Sequence, residues 1–60
     1  MILTPREEQI ATLVAQGKSN TEISESLGLT RGTVKEYVNK IFHKLGLHNR
    51  TELAMWFLKR

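Results

Sequence analysis

Leu29 to Leu45, LTRGTVKEYVNKIFHKL, is the stretch whose reading decides the fold. Its apolar residues Val34, Tyr37, Val38, Ile41, Phe42 and Leu45 recur at i, i+3, i+4, i+7, i+8 and i+11, the stripe of a helix with one buried face. At ~100° per residue, the opposite face carries Gly32, Glu36, Asn39 and His43, flanked by Lys35 and Lys40. That outer face is polar, rich in hydrogen-bonding groups and edged with cations. It suits a nucleic-acid groove and suits an ordinary solvated surface equally well, so the flanking segments must decide.

Directly upstream, Thr30 is placed to cap this helix, and Gly28 to stop a short one after Leu27. The short helix opens at Ser19-Asn20-Thr21-Glu22, an S-x-x-E capping box, and buries Ile23 and Leu27. A short helix, a tight turn and a longer amphipathic helix make the layout of a helix-turn-helix, whose second helix docks in a DNA major groove. Small bundles share that layout, so it is weak on its own. Further upstream, Met1-Ile2-Leu3 is an apolar lead-in to Thr4-Pro5-Arg6-Glu7, where a cap, a proline at the first helical position and a capping-box acid coincide. Ile10, Leu13 and Val14 form the buried side of this first helix, and Gly17 ends it.

Downstream, Gly46 closes the long helix, and Asn49 caps a last one with Glu52 as its third-position acid. In TELAMWFLKR, Leu53, Trp56 and Phe57 fall on one side, and Ala54, Met55 and Leu58 on the other. One apolar side serves the core and leaves the other for a partner. The expected fold is all-α, a four-helix bundle containing a helix-turn-helix, with helices at about 5–16, 20–27, 31–45 and 50–59 in one domain over 1–60.

Sixty residues bury only about 60% of their unfolded surface, so the fold depends on helix packing and good caps, with a partner subunit as a further candidate source of stability. The absence of cysteine removes disulfides and thiolate metal sites. Nine lysines and arginines against six acids leave a net charge of +3, which favours acidic partners. No apolar run approaches membrane-spanning length and the start is not a secretory signal, so a cytoplasmic protein without a membrane partner is expected. Neither a nucleophile with a base and orienter nor a glycine-rich phosphate cradle occurs, which argues against an enzyme. His43 and His48 lack ligand company, so no metal and no cofactor is expected.

Leu3-Thr4-Pro5-Arg6-Glu7, Gly17-Lys18-Ser19-Asn20-Thr21-Glu22-Ile23, Leu29-Thr30, Thr33-Val34-Lys35, Lys44-Leu45-Gly46-Leu47 and Asn49-Arg50-Thr51-Glu52 together resemble the LuxR-type (GerE-like) DNA-binding domain. The motifs run in order over nearly the whole chain at the family's spacings. Tyr37 stands where a histidine is frequent, Leu53 and Phe57 where alanine is common, and Glu36 and Asn39 where members vary. The resemblance implies DNA recognition by helix three and dimerisation through helix four. Members usually carry this module behind a regulatory domain. This chain begins at helix one, so it is expected to be either a fragment or a stand-alone module.

The expected base contacts are Lys35, Glu36 and Asn39, although for Glu36 the favoured reading is a pair with Lys40 four residues on, ahead of a bond from cytosine N4. Asn20, Thr21, Thr30, Arg31, Thr33, Lys40, Lys44 and Arg50 are expected at the DNA backbone, Lys44 where the groove falls away. Arg50 opposes the dipole of helix four, and the resemblance offers it phosphate contact or an internal ion pair. Thr51, Ala54, Met55 and Leu58 form the expected dimer face. The expected partners are double-stranded DNA with inverted half-sites, a second copy, and RNA polymerase as a further candidate. The rivals are a helical protein-interaction module that does not touch DNA, and another helix-turn-helix type such as the promoter-reading end of a sigma factor.

Overall fold

The computed structural model describes residues 2–59, which form four helices: α1 (Pro5–Ala15), α2 (Asn20–Leu27), α3 (Arg31–Leu45) and α4 (Arg50–Lys59). Met1 of the apolar lead-in lies outside the described residues. No strand occurs among the described residues. Three spans agree with the sequence reading. The first helix ends one residue earlier than expected, at Ala15, with Gln16 as its C-cap and Gly17 in the left-handed conformation beyond it.

Each helix begins on a side-chain cap. Thr4 Oγ1 accepts from the Glu7 amide at 3.2 Å, and Glu7 Oε1 accepts from the Thr4 amide at 2.8 Å. Ser19 and Glu22 repeat this reciprocal box at 3.1 and 2.8 Å. Both boxes satisfy amides that would otherwise lack partners at a helix start. Thr30 Oγ1 accepts from the Thr33 amide at 3.1 Å and donates to Thr33 Oγ1 at 2.9 Å. At α4, Asn49 Oδ1 accepts from the Glu52 amide at 2.9 Å, but Glu52 reaches past the cap to accept from the His48 amide at 2.7 Å.

Gly28 and Gly46 stand at φ +68° and +66°, a left-handed conformation that a side chain disfavours. Beyond them, the Leu29 amide donates to the Ser24 carbonyl and the Leu47 amide to the Phe42 carbonyl, each at 2.9 Å. These bonds fold the chain back sharply, so α2 and α3 meet across a three-residue connection.

Helix α1 is the hub: α4, α3 and α2 all pack on it, and α2 also packs on α3. The core consists of Leu3, Ile10, Ala11, Val14, Ile23, Val34, Val38, Ile41 and Leu53. Burying one such large aliphatic side chain contributes about 1.5–3 kcal/mol. Leu13, Leu27, Leu29, Tyr37, Phe42, Leu45, Leu47, Trp56 and Phe57 close over it, half-buried. This packing turns the apolar stripe of α3 inward, with Val34, Val38 and Ile41 buried and Tyr37, Phe42 and Leu45 half-buried, and its opposite face outward. At 15 residues α3 is about 22 Å long.

Candidate nucleic-acid interface

On α3, Lys35, Glu36, Asn39, Lys40 and His43 are all exposed. Lys35 and Asn39 are adjacent, one helical turn apart. At the amino end of the helix, Arg31 is exposed and Thr33 half-buried, while the Thr30 hydroxyl is occupied by capping. The amino end of α2 presents Thr21 exposed and Asn20 half-buried. Of the first amides of α2, that of Glu22 goes to Ser19 Oγ, whereas those of Asn20 and Thr21 have no acceptor within the helix. Amide groups in that position suit an anion.

The structure adds intrachain geometry at three of these positions. Glu36 and Lys40 do not pair: among the described residues, the ion pairs within 4.0 Å are Lys44–Glu7 and His48–Glu52. Lys40 Nζ lies instead 6.0 Å from the centroid of the Tyr37 ring, three residues back. An exposed ion pair gains little in water, so the lysine stem follows the half-buried ring and leaves Glu36 solvated. Glu36 thereby has no ion-pair partner among the described residues.

Lys44 is the second. Its ammonium sits 2.7 Å from Glu7 Oε1 and 3.4 Å from the Ile2 carbonyl, on the side of α3 that faces α1. Glu7 is buried at 3% exposure, and an unpaired carboxylate there would be costly. The hydrogen bond from Lys44, then that from the Thr4 amide, holds the Glu7 carboxyl below its ordinary pKa against the opposing effect of burial. Lys44 thus forms an internal clasp between α1 and α3, with its side chain still 38% exposed. Glu7 itself was read only as a cap.

Arg50 is the third. Its guanidinium makes no ion pair within 4.0 Å among the described residues; Nη1 donates to Asn20 Oδ1 at 2.7 Å and Nη2 to the Lys18 carbonyl. These acceptors are neutral, and they offset the adverse placement of a cation at a helix start. Lys18 was not singled out from sequence, because a backbone carbonyl in a loop leaves no residue-type signal. Glu22, capping Ser19, also has a lowered carboxyl pKa, set first by the Ser19 amide.

The profile of the family described as "Bacterial regulatory proteins, luxR family" matches residues 1–57. The chain belongs to the LuxR family of bacterial regulatory proteins. The two-component response regulator PprB of Pseudomonas aeruginosa is 43% identical over 53 residues, 88% of this chain and 19% of PprB. The nitrate/nitrite response regulator NarL of Escherichia coli is 44% identical over 54 residues, 90% of this chain and 25% of NarL. The transcriptional regulatory protein LiaR of Bacillus subtilis is 44% identical over 54 residues, 90% of this chain and 26% of LiaR. This chain thus spans about a quarter or less of these relatives. LuxR-family membership assigns it to DNA-binding regulation and to no enzyme class. No helix among the described residues of this LuxR-family chain is long and apolar enough to cross a membrane.

Proposed function

We propose that this LuxR-family domain binds duplex DNA in a sequence-specific way to control transcription, with α3 in the major groove and α4 joining two copies. The observation that carries this reading is the exposed polar face of α3, where Lys35 and Asn39 stand one turn apart and no intrachain partner competes for them among the described residues. Lysine donates to guanine O6 and N7, asparagine matches adenine N6 and N7, and an unpaired Glu36 accepts from cytosine N4. Thr21, Thr33, Arg31, Lys40 and the Asn20 amide meet the phosphates on either side, with Thr30 setting the start of α3 beside them. The acting compartment is the cytoplasm, and RNA polymerase is a further candidate partner.

Binding should weaken steeply with salt, with a log–log slope of about −0.9 for each phosphate neutralised. A titration of mixed duplex with salt-insensitive or undetectable binding would favour a protein-interaction module instead. An unbiased selection of bound sequences then reads out base preference.

For the second copy, α4 leaves Met55 50% and Leu58 76% exposed, with Thr51 exposed and Ala54 half-buried beside them. Two of these protomers should bind inverted half-sites about 34–36 Å apart. Met55→Asp or Leu58→Asp should lower affinity for paired half-sites by about tenfold or more, since one buried apolar side chain is worth about 1.5–3 kcal/mol. Binding to a single half-site and the melting temperature should hold, because neither side chain supports the core. Undiminished binding to paired half-sites would place the interface elsewhere.

A further inference from the structure

We propose that Arg50 is a positioning residue for DNA binding, acting through the Asn20 carboxamide and not through a phosphate of its own. The inference rests on the DNA-binding reading above. Arg50 is the first residue of α4, and Asn20 the first of α2, 30 positions earlier in the chain. One guanidinium joins them: Nη1 donates to Asn20 Oδ1 at 2.7 Å while Nη2 donates to the Lys18 carbonyl.

This fork has a chemical consequence at Asn20. A carboxamide has one accepting end and one donating end, and they exchange places by rotation about χ2. Engaging Oδ1 selects one of the two orientations and leaves the Nδ2 hydrogens as the available donors. Only donors are useful to a phosphate. The same residue opens the helix whose Asn20 and Thr21 amides lack helical acceptors, so the carboxamide adds a donor to those already available at this helix start. A freely rotating Asn20 would spend part of its time presenting Oδ1, which repels a phosphate oxygen.

Arg50 turns one donor of each terminal nitrogen to the protein in doing this. Its charge is directed at two neutral oxygens of the protein, and it is half-buried beside Lys18, Ser19 and the Thr51–Ala54 side of α4. The arrangement also fixes the start of α4, which carries the proposed dimer face, against the phosphate-binding end of α2.

The test is a double-mutant cycle read by fluorescence anisotropy on a labelled mixed-sequence duplex over a salt series, using Asn20→Ala, Arg50→Ala, both together, and Arg50→Lys. Asn20→Ala and Arg50→Ala should each weaken binding about tenfold, the worth of one charge-assisted hydrogen bond. The double variant should be no weaker than Asn20→Ala alone. The salt slope of Arg50→Ala should match that of the unaltered chain, whereas loss of a phosphate contact would lower it by about 0.9. Arg50→Lys keeps the charge but cannot bridge two acceptors with a planar fork, so it should bind nearly as weakly as Arg50→Ala. Circular dichroism confirms that each variant is folded at the assay temperature, and Arg50→Lys alone decides the matter if Arg50→Ala is not. Additive losses, a reduced slope, full affinity in Arg50→Lys, or unchanged affinity in a folded Arg50→Ala would each overturn the proposal. Failure of the unaltered chain to bind duplex at all would instead overturn the DNA-binding reading beneath it.

Discussion

Glu7→Ala should cost this domain about 3 kcal/mol, near the low end of the range for breaking a buried ion pair. The carboxylate accepts from the Lys44 ammonium at 2.7 Å and from the Thr4 amide at 2.8 Å, at a position only 3% exposed. Removing it strips α1 of half its capping box and leaves Lys44 without its anion. The cost stays toward the low end because the Lys44 side chain is 38% exposed and its ammonium can rehydrate. A chain of 60 residues has about 3–9 kcal/mol of stability in all. Thermal unfolding should therefore move down by roughly 12–24 °C, at 4–8 °C per kcal/mol for a domain of this size. Lys44→Ala should fall in the same direction, and the pair should be strongly non-additive in a double-mutant cycle. A melting temperature within a few degrees of the unaltered chain would show that the clasp is dispensable.

The clasp also has a pH signature. Because folding lowers the Glu7 pKa, its contribution is complete above the ordinary glutamate value of about 4.3 and is lost as pH falls through the lower, folded value. The melting temperature should be flat from neutral pH down to about 5 and decline in more acidic solution. Glu7→Gln should flatten that decline without abolishing it, since the lowered Glu22 carboxyl adds dependence of the same sign.

Lys35→Ala should have the largest effect on recognition, about 1–3 kcal/mol on a selected site with base preference relaxed there. Lys35 is exposed, one turn from Asn39 on the outward face, and free of any ion pair among the described residues. Lys44→Ala provides the contrast. Its charge is committed to Glu7, so the salt slope should stay as it is while stability falls. Both variants are to be measured on selected and scrambled duplex over a salt series. Equal losses for Lys35→Ala on both duplexes would make Lys35 a phosphate contact and move specificity to Asn39, Glu36 or DNA shape.

The helices themselves were legible in the sequence because their causes are local. Thr4 with Glu7, Ser19 with Glu22, Thr30 and Asn49 each act within a few residues, and Gly28 and Gly46 stop helices by their own backbone freedom. The buried stripe of α3 follows from its 3.6-residue period, and with it the outward polar face. One clue to a nonlocal contact was also present. Glu7 falls on the same stripe as Ile10, Ala11 and Val14, so the helical period already carried this acid into the core. A buried carboxylate demands a cation.

Which cation answered could not be read from the chain. Lys44 is 37 positions from Glu7, and Arg50 is 30 from Asn20. A lysine or arginine looks alike in sequence whether its charge faces solvent, DNA or a carboxylate. Only the packing of α3 and α4 on α1 brings those pairs within hydrogen-bonding distance, because periodicity sets which face is buried but not which residues of another helix it meets. Tertiary structure therefore divided the basic residues, leaving Lys35, Lys40 and Arg31 outward and turning Lys44 and Arg50 to the protein's own oxygens.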